Sequence, residues 1–585
     1  MSGPERARSI PPFDRTFFGA AENLTRIGSG PLGGKASGLL RLSDGLPSLA
    51  DGGTYPLRIA IPTLTVITAD HFERFVDDNG LWDVALADEP DEAVARAFLR
   101  GSLSGDLAGD LRALVGQVHS PLAVRSSSLL EDAREHPFAG VYATKMTPND
   151  QFDAGFRFRK LVEAVKFVWA STFFRSARAY RETIGATPRE ERMAVIVQEV
   201  VGVRRGQLFY PDVSGVARSY NFYRFGAARP EEGVVHLALG LGKTIVEGEA
   251  SWSYCPAHPG VRRPYGSLRE LLRDSQTSFW AVRMGPPPAE DAVHETEYLA
   301  KAELPEAEED GSLRFTASTL DAGSDRLVPG TGRPGPRLLD FAPLLSLGEY
   351  PVNGAIRTVL AHAERVVGGP VEMEFAATFH PREDPPGRFG VLQVRPLVVS
   401  TETVDVDFAP RPGLVPLVFS ESVLGNGVVH GVADVVHLKR DLVGTRSFAG
   451  AASDVAAVNR SLVAEGRPYV LIGFGRWGSA DPWLGVPVAW GDVGGVRVLV
   501  EAALAERRIE MSQGSHFFHN ISSFGVSYFS VPDAGTARID WAWLSARPAL
   551  RETPWLRHVR LETPLRIEVD GRTGRGIIFR QETGR

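Results

Sequence analysis

The sequence predicts an α+β protein of several folding units, with a C-terminal part rich in β-structure. Three observations predict it. Helical and strand-like patterns are mixed along the first two thirds of the chain. A composition break at residues 405–416 (DVDFAPRPGLVP) then interrupts them. Beyond it, strand-like segments follow at 468–472, 486–490, 496–500, 526–531 and 565–579, the last folded about a DGRTGRG turn. Six of the ten tryptophans lie in that region, from Trp477 to Trp555, which marks it as compositionally distinct.

The elements follow in order. Residues 58–68 (RIAIPTLTVIT) are rich in β-branched side chains and interrupted by Pro62, which predicts one short, broken strand. Thr68 is placed to cap a helix over ADHFERFVDDNGL, where Phe72, Phe75 and Val76 share a face. Residues 161–180 carry apolar and aromatic side chains on most sides at helical spacing, which predicts one buried helix. Residues 193–201 (MAVIVQEVV) have strand length. Residues 284–336 hold Pro286–Pro288, an acidic run and VPGTGRPGPR, and predict a surface insertion or a long loop, partly disordered. A helix at 353–367 and strands at 371–376 and 390–399 follow.

Composition narrows the function. The 585 residues carry 64 Lys+Arg against 71 Asp+Glu, a net charge of −7, which argues against general nucleic-acid binding. Hydrophobic residues at 43% and charged ones at 23% are those of a globular protein. The single cysteine, Cys255, excludes an internal disulfide and a cysteine-based zinc cluster. Residues 1–14 lack the apolar core of a signal peptide, and no run approaches the ~18 apolar residues of a membrane span, so a cytoplasmic protein without membrane partners is expected. Only seven of the cations are lysines, so a lysine within a glycine-rich loop stands out.

Three segments carry residue types suited to phosphate chemistry. The first is GSGPLGGKASG at 28–38, where glycines let backbone N–H groups approach an anion and Lys35 adds a charge. Ala36 after the lysine excludes a Walker A loop, and a flexible turn with an exposed lysine remains the alternative. The second is VRSSSLLED at 124–132 with FAGVYAT at 138–144, where Arg125 can clamp phosphate and Gly140 permits a close-lying loop. Serines that merely cap a turn are the alternative there. The third is EMEF at 372–375 with VLQVRP at 391–396. Glu372 and Glu374 share a strand face able to hold Mg2+, and Gln393 and Arg395 repeat the spacing on an expected partner strand. A solvated face with a surface ion pair is the competing reading.

In this order, these segments resemble the nucleotide-binding N-terminal region of pyruvate phosphate dikinase and phosphoenolpyruvate synthase. AIPTLTVITADHF, VKFVWASTFFRSARAYR, VIVQEVV and LALGLGKTIVEG match further family segments, so the similarity covers 28–396. The resemblance implies an ATP-grasp fold whose two lobes hold ATP, with ATP and Mg2+ as cofactors. It divides the chain into an N-terminal lobe at 1–200, a second lobe at 201–404 with an insertion around 284–336, and a Trp-rich α/β or β-rich domain of unknown role at 405–585. It implies that Lys35 and Arg125 contact phosphates beneath a loop at Gly140. Gln198, Glu199 and Val201 lie along the adenine, Glu372 and Glu374 bind Mg2+, and Arg125, Gln393 and Arg395 stabilise the transferring group.

Departures shape the expected function. Leu64 stands at a usual glycine, Lys243 where the family often has glutamate, and Glu372 where it often has aspartate. The family's TSH-type phosphohistidine motif is missing, and too little chain follows Pro396 for the swivelling and barrel domains. The expectation is an ATP-dependent phosphotransferase acting on an unidentified acceptor or on a phosphocarrier in trans. A non-catalytic ATP/AMP sensor is the alternative. Within the C-terminal part, GFGRWGSAD at 473–481 offers Arg476 to an anion, and His516 or His519 can accept a phosphoryl group or pair on a metal. Structural histidines are the competing reading.

Overall fold

The computed structural model describes residues 10–16, 24–46, 57–131, 140–223, 228–261, 267–285, 292–321, 323–380, 386–399, 404–409, 411–442, 448–479, 485–503, 515–532 and 538–582. The architecture is mixed α/β. A five-stranded sheet runs Leu24–Ile27, Leu64–Ile67, Met193–Glu199, Leu122–Ser128, Thr144–Thr147. A six-stranded sheet runs Trp252–Tyr254, Val234–Ala238, Val213–Arg218, Val371–Thr378, Gly387–Pro396, Leu57–Ala60.

The segment expected as one broken strand is two strands in two sheets. Leu57–Ala60 pairs parallel with Gly387–Pro396, while Leu64–Ile67 lies between Leu24–Ile27 and Met193–Glu199. Pro62 falls in the link, where its missing N–H breaks no ladder. Thr68 does precede the helix Ala69–Asp78, yet its hydroxyl donates to the Ile27 carbonyl at 2.9 Å instead of capping the helix. Phe72 and Phe75 pack on Trp169 at 6.2 and 5.0 Å, so that helix is held by its aromatic face.

The single buried helix expected at 161–180 is two, Ala154–Ser171 and Arg175–Ile184. Asp153 caps the first, accepting from the Gly155 and Phe156 N–H groups. Buried Arg181 reaches back to donate to the Thr172 carbonyl at 2.5 Å, which satisfies a group the break leaves without a helical partner. The segment at 284–336 is not a loop over its described residues. Leu299–Glu303 pairs with Ser278–Arg283, Leu304–Glu309 is a helix, and Ala317–Asp321 pairs with Arg326–Pro329 and Arg337–Leu339. The acidic run forms that short helix because Glu303 and Glu306 satisfy the N–H groups at its start. Pro286–Pro288 lie outside the described residues.

The C-terminal region is built on a ten-stranded sheet. Its parallel centre, Ser527–Val531, Val496–Ala502, Tyr469–Phe474 and Asn426–Leu438, continues into the antiparallel pair Leu556–Asp570 and Arg575–Gln581. Helix Ala449–Ala464 lies between two of the parallel strands in sequence, as parallel pairing requires a crossover. Of the strand expected at 486–490, only Gly485–Val486 forms, and Trp490 begins a 3-10 turn, Trp490–Asp492. That turn packs on Arg175–Ile184, where a Cβ on Gly491 would come within 2.6 Å of the Ala179 Cβ. Tyr180 and Trp490 both meet the Phe524 ring, at 5.4 and 5.1 Å. These contacts set the C-terminal region against the five-stranded sheet's helices. Among the described residues, no helix is long and apolar enough to cross a membrane.

Candidate functional site

A cavity of about 490 Å³ opens between the five-stranded and six-stranded sheets. Lys35 enters it from the first turn of helix Gly34–Ser43. Gly33 precedes that helix at φ 76°, and a Cβ there would sit 1.6 Å from the Ser127 carbonyl oxygen, so only glycine fits. The loop is pinned to strand Leu122–Ser128 because the Ser127 hydroxyl donates to the Leu32 carbonyl at 2.8 Å and accepts from the Ala36 N–H at 3.1 Å. Lys35 Nζ in turn donates to Ser126 Oγ at 2.9 Å and Glu131 Oε1 at 2.5 Å. The lysine is therefore aimed, not loose. Asp132 and Phe138 lie outside the described residues.

Arg125 leaves the same strand and clasps the opposite sheet. Its Nη2 donates to Glu374 Oε2 at 3.1 Å and Gln393 Oε1 at 2.9 Å, and Nη1 to the Leu392 carbonyl at 2.9 Å. The expected strand pair is present, with Glu372 opposite Arg395 and Glu374 opposite Gln393, and a bulge after Glu374. Glu374 and Gln393 line the cavity; Glu372 and Arg395 do not. Arg395 Nε donates to Glu372 Oε1 at 2.7 Å, and Arg218 Nη2 lies 2.5 Å from Glu372 Oε2. Those three side chains are almost wholly buried. Burial opposes ionisation of Glu372, but Arg218 and Arg395 overcome it and hold its carboxyl well below the usual range.

Glu374 behaves alike. Burial pushes against its charge, while His516 and Arg125 bring its pKa down to about 2. His516 Nε2 lies 3.8 Å from Glu374 Oε1. Burial pushes the His516 imidazole below its ordinary value, against the pull of Glu374. Gly140, at φ 68°, faces that imidazole so closely that a Cβ would come within 2.6 Å of its Nδ1. His519, by contrast, is buried outside the cavity, with Nδ1 3.8 Å from Glu372 Oε2. No group of three or more His, Cys, Asp or Glu among the described residues is arranged to hold a metal, so the two histidines form no such site there.

Gln198, Glu199 and Val201, from strand Met193–Glu199 and the turn after it, line the far end of the cavity. Gln198 Nε2 is buried without a hydrogen-bond partner among the described residues, an arrangement that a ligand acceptor would relieve. Lys243 also faces this end, ion-paired with Glu247 and 3.8 Å from Glu295. Burial works against its charge, yet Glu295 and Glu247 raise its pKa. Arg476, expected to meet an anion, donates to the Gly248 carbonyl at 2.8 Å.

Sequence reasoning missed Arg218 and the C-terminal wall formed by Ser479, Trp490 and Asn520. The segment Val213–Arg218 (VSGVAR) carries only two valines ahead of the charge, a weak local sign of Arg218. The family described as "Pyruvate phosphate dikinase, AMP/ATP-binding domain" matches residues 30–409. A phosphoenolpyruvate synthase of Aeropyrum pernix is 26% identical over 243 residues, 38% of this chain and 26% of that protein. An uncharacterized phosphotransferase of Bacillus subtilis, YvkC, is 25% identical over 196 residues, 33% of this chain and 21% of its own. A probable phosphoenolpyruvate synthase of Methanocaldococcus jannaschii is 26% identical over 214 residues, 33% of this chain and 16% of its own. The chain thus matches about a quarter or less of each relative's length.

Proposed function

The chain belongs to the family of the pyruvate phosphate dikinase AMP/ATP-binding domain, and from that premise we propose that it binds ATP in this cavity and passes a phosphoryl group to an acceptor. Residues 1–200 and 201–404 serve as the two lobes of an ATP-grasp arrangement, and 405–585 as a further domain against them. One observation carries the reading: Lys35, Arg125, Gln393 and Glu374 converge at one end of a single cavity, and Gln198 offers an unpaired donor along it.

Phosphoryl transfer asks for positioning and charge neutralisation more than for covalent chemistry by the protein. Lys35 and Arg125 supply cations at the phosphate end, already oriented by Glu131, Glu374 and Gln393. The loop at Gly140 covers that end, and Gln198, Glu199 and Val201 line the base. Glu374, with only one of its oxygens taken by Arg125, is suited to Mg2+, which commonly takes one or two protein oxygens plus phosphates. Bound there, the metal would neutralise phosphate charge. Glu372 fits that role less well, because both its oxygens already face arginines; its role is to fix Arg218 and Arg395 behind the wall. A cytoplasmic setting, where ATP is available, belongs to the same reading.

The rival reading is a nucleotide sensor that leaves ATP intact. It draws on the pairing of Arg395 with Glu372 outside the cavity, which takes one expected transfer residue away from the phosphates. Incubation of the full chain with ATP labelled at the β or γ phosphorus separates the two. Transfer predicts loss of label from ATP with release of ADP or AMP; intact ATP at full site occupancy supports the sensor.

A further inference from the structure

We propose that Lys145 positions residues 292–299 so that Glu295 stands at the base end of the cavity, and that the Glu295 carboxylate there selects a base carrying an exocyclic amino group. This rests on the reading of the cavity as an ATP site and adds to it the residues that read the base.

Lys145 sits between Thr144 and Met146 on strand Thr144–Thr147. Those two neighbours line the cavity, so strand alternation turns Lys145 to the other side. Its side chain is 1% exposed, and an ammonium has three donors to satisfy there. Two go to the Ala292 and His294 carbonyls, the second at 3.0 Å, and Glu297 Oε2 lies 2.8 Å away. All three partners belong to one segment. Lys160, on helix Ala154–Ser171, holds the other Glu297 oxygen at 2.9 Å. Val293 is buried with Ala143 and Phe167, which adds an apolar contact to the same strand and helix.

That docking crosses the molecule. Strands Ser278–Arg283 and Leu299–Glu303, which flank the segment, pair with each other in a separate four-stranded sheet with Leu208–Tyr210 and Val203–Arg205. Lys145 belongs instead to the five-stranded sheet on the other side of the cavity. A buried ammonium and carboxylate offset their desolvation only when they meet, so the pair fixes the segment in one place.

The segment brings Glu295 and Leu299 to the cavity. Leu299 joins Ala123, Met146, Val200 and Leu241 in one apolar cluster, and all five line the cavity, which makes a slot suited to a heterocyclic base. Glu295 keeps 38% of its side-chain surface and stands 3.8 Å from Lys243 Nζ. Gln198 Nε2 offers a donor at this end and the Glu295 carboxylate an acceptor. A 6-aminopurine presents the converse pair, a ring nitrogen that accepts beside an amino group that donates. A 6-oxopurine exchanges both, so that donor meets donor and acceptor meets acceptor. Glu295 is therefore the residue that discriminates, and Lys145, which does not line the cavity, acts through it.

The test is calorimetric titration of the full chain and its Glu295→Ala and Lys145→Met variants with ATP, ITP and tripolyphosphate, each with MgCl2. Tripolyphosphate reports the phosphate end alone, so its affinity shows whether the fold, Lys35 and Arg125 persist. The parent should prefer ATP to ITP by about tenfold or more, the worth of a hydrogen bond to a charged group. Glu295→Ala should bring that ratio within about threefold of unity, and Lys145→Met should do the same. The double variant should go no further than the single ones, since both act on one contact. Tripolyphosphate affinity should stay within about threefold of the parent throughout. A parent that binds ATP and ITP alike, or a preference that survives Glu295→Ala, overturns the selection by Glu295. A preference that survives Lys145→Met, a loss of tripolyphosphate affinity in that variant, or a further fall in the double variant overturns the positioning role. A parent chain that binds no ATP overturns the nucleotide reading on which both stand.

Discussion

Replacing Glu374 by glutamine removes the charge that faces both Arg125 and His516 across the cavity, at 3.1 and 3.8 Å. Its side chain is 15% exposed, so solvent screens the contacts little. The drop from an ordinary 4.5 to about 2 corresponds to roughly 3 kcal/mol in favour of the folded state. Because the folded value is the lower one, that contribution is complete above pH 4.5 and is lost as pH falls towards 2. Urea unfolding followed by tryptophan fluorescence, at pH 7, 5.5 and 3.5, reads the difference between parent and Glu374→Gln. The expected gap is roughly 3 kcal/mol at the two higher pH values, and smaller by about 1.4 kcal/mol at pH 3.5. A gap of the same size at all three, or none at pH 7, would refute the electrostatic account of this wall.

Glu372→Gln should take the shared carboxylate away from two buried arginines and cost roughly 3–5 kcal/mol, read as a clear fall in unfolding temperature; an unchanged temperature would contradict the pairing with Arg218 and Arg395. Gln198→Ala should weaken ATP binding about 5–10-fold, the worth of one hydrogen bond, because its buried Nε2 has no partner among the described residues. Equal affinity by calorimetry would show that the base does not use that donor.

Much of the wall was legible in the sequence because β-structure obeys a short rule. Residues two apart share a face, so Glu374 beside Gln393 followed once the two segments were taken as partners. The same rule put Glu372 and Arg395 on that face, but it did not reveal that both would be consumed. Glu372 lies opposite Arg395 on one neighbouring strand and opposite Arg218 on the other, and the second pairing joins segments far apart in sequence. Local patterns likewise blurred two boundaries. Residues 161–180 carry a continuous helical pattern, and the break at 172–174 is held by Arg181 from the following helix. Residues 57–67 change sheets at Pro62, a choice made by partners, not by propensity. The C-terminal wall was least legible, since its approach to the cavity depends on packing of Phe524 against Tyr180 and of Gly491 against Ala179. His516 was visible as a polar residue among aromatics, but its distance to Glu374 was not.

The most direct test of the central claim is a calorimetric titration of the full chain with ATP in the presence of MgCl2, repeated on Arg125→Ala. The account predicts one ATP per chain and at least a tenfold loss of affinity in the variant, about the 1.4 kcal/mol expected on losing a charged contact. Absence of binding, or an affinity that ignores Arg125, would contradict it.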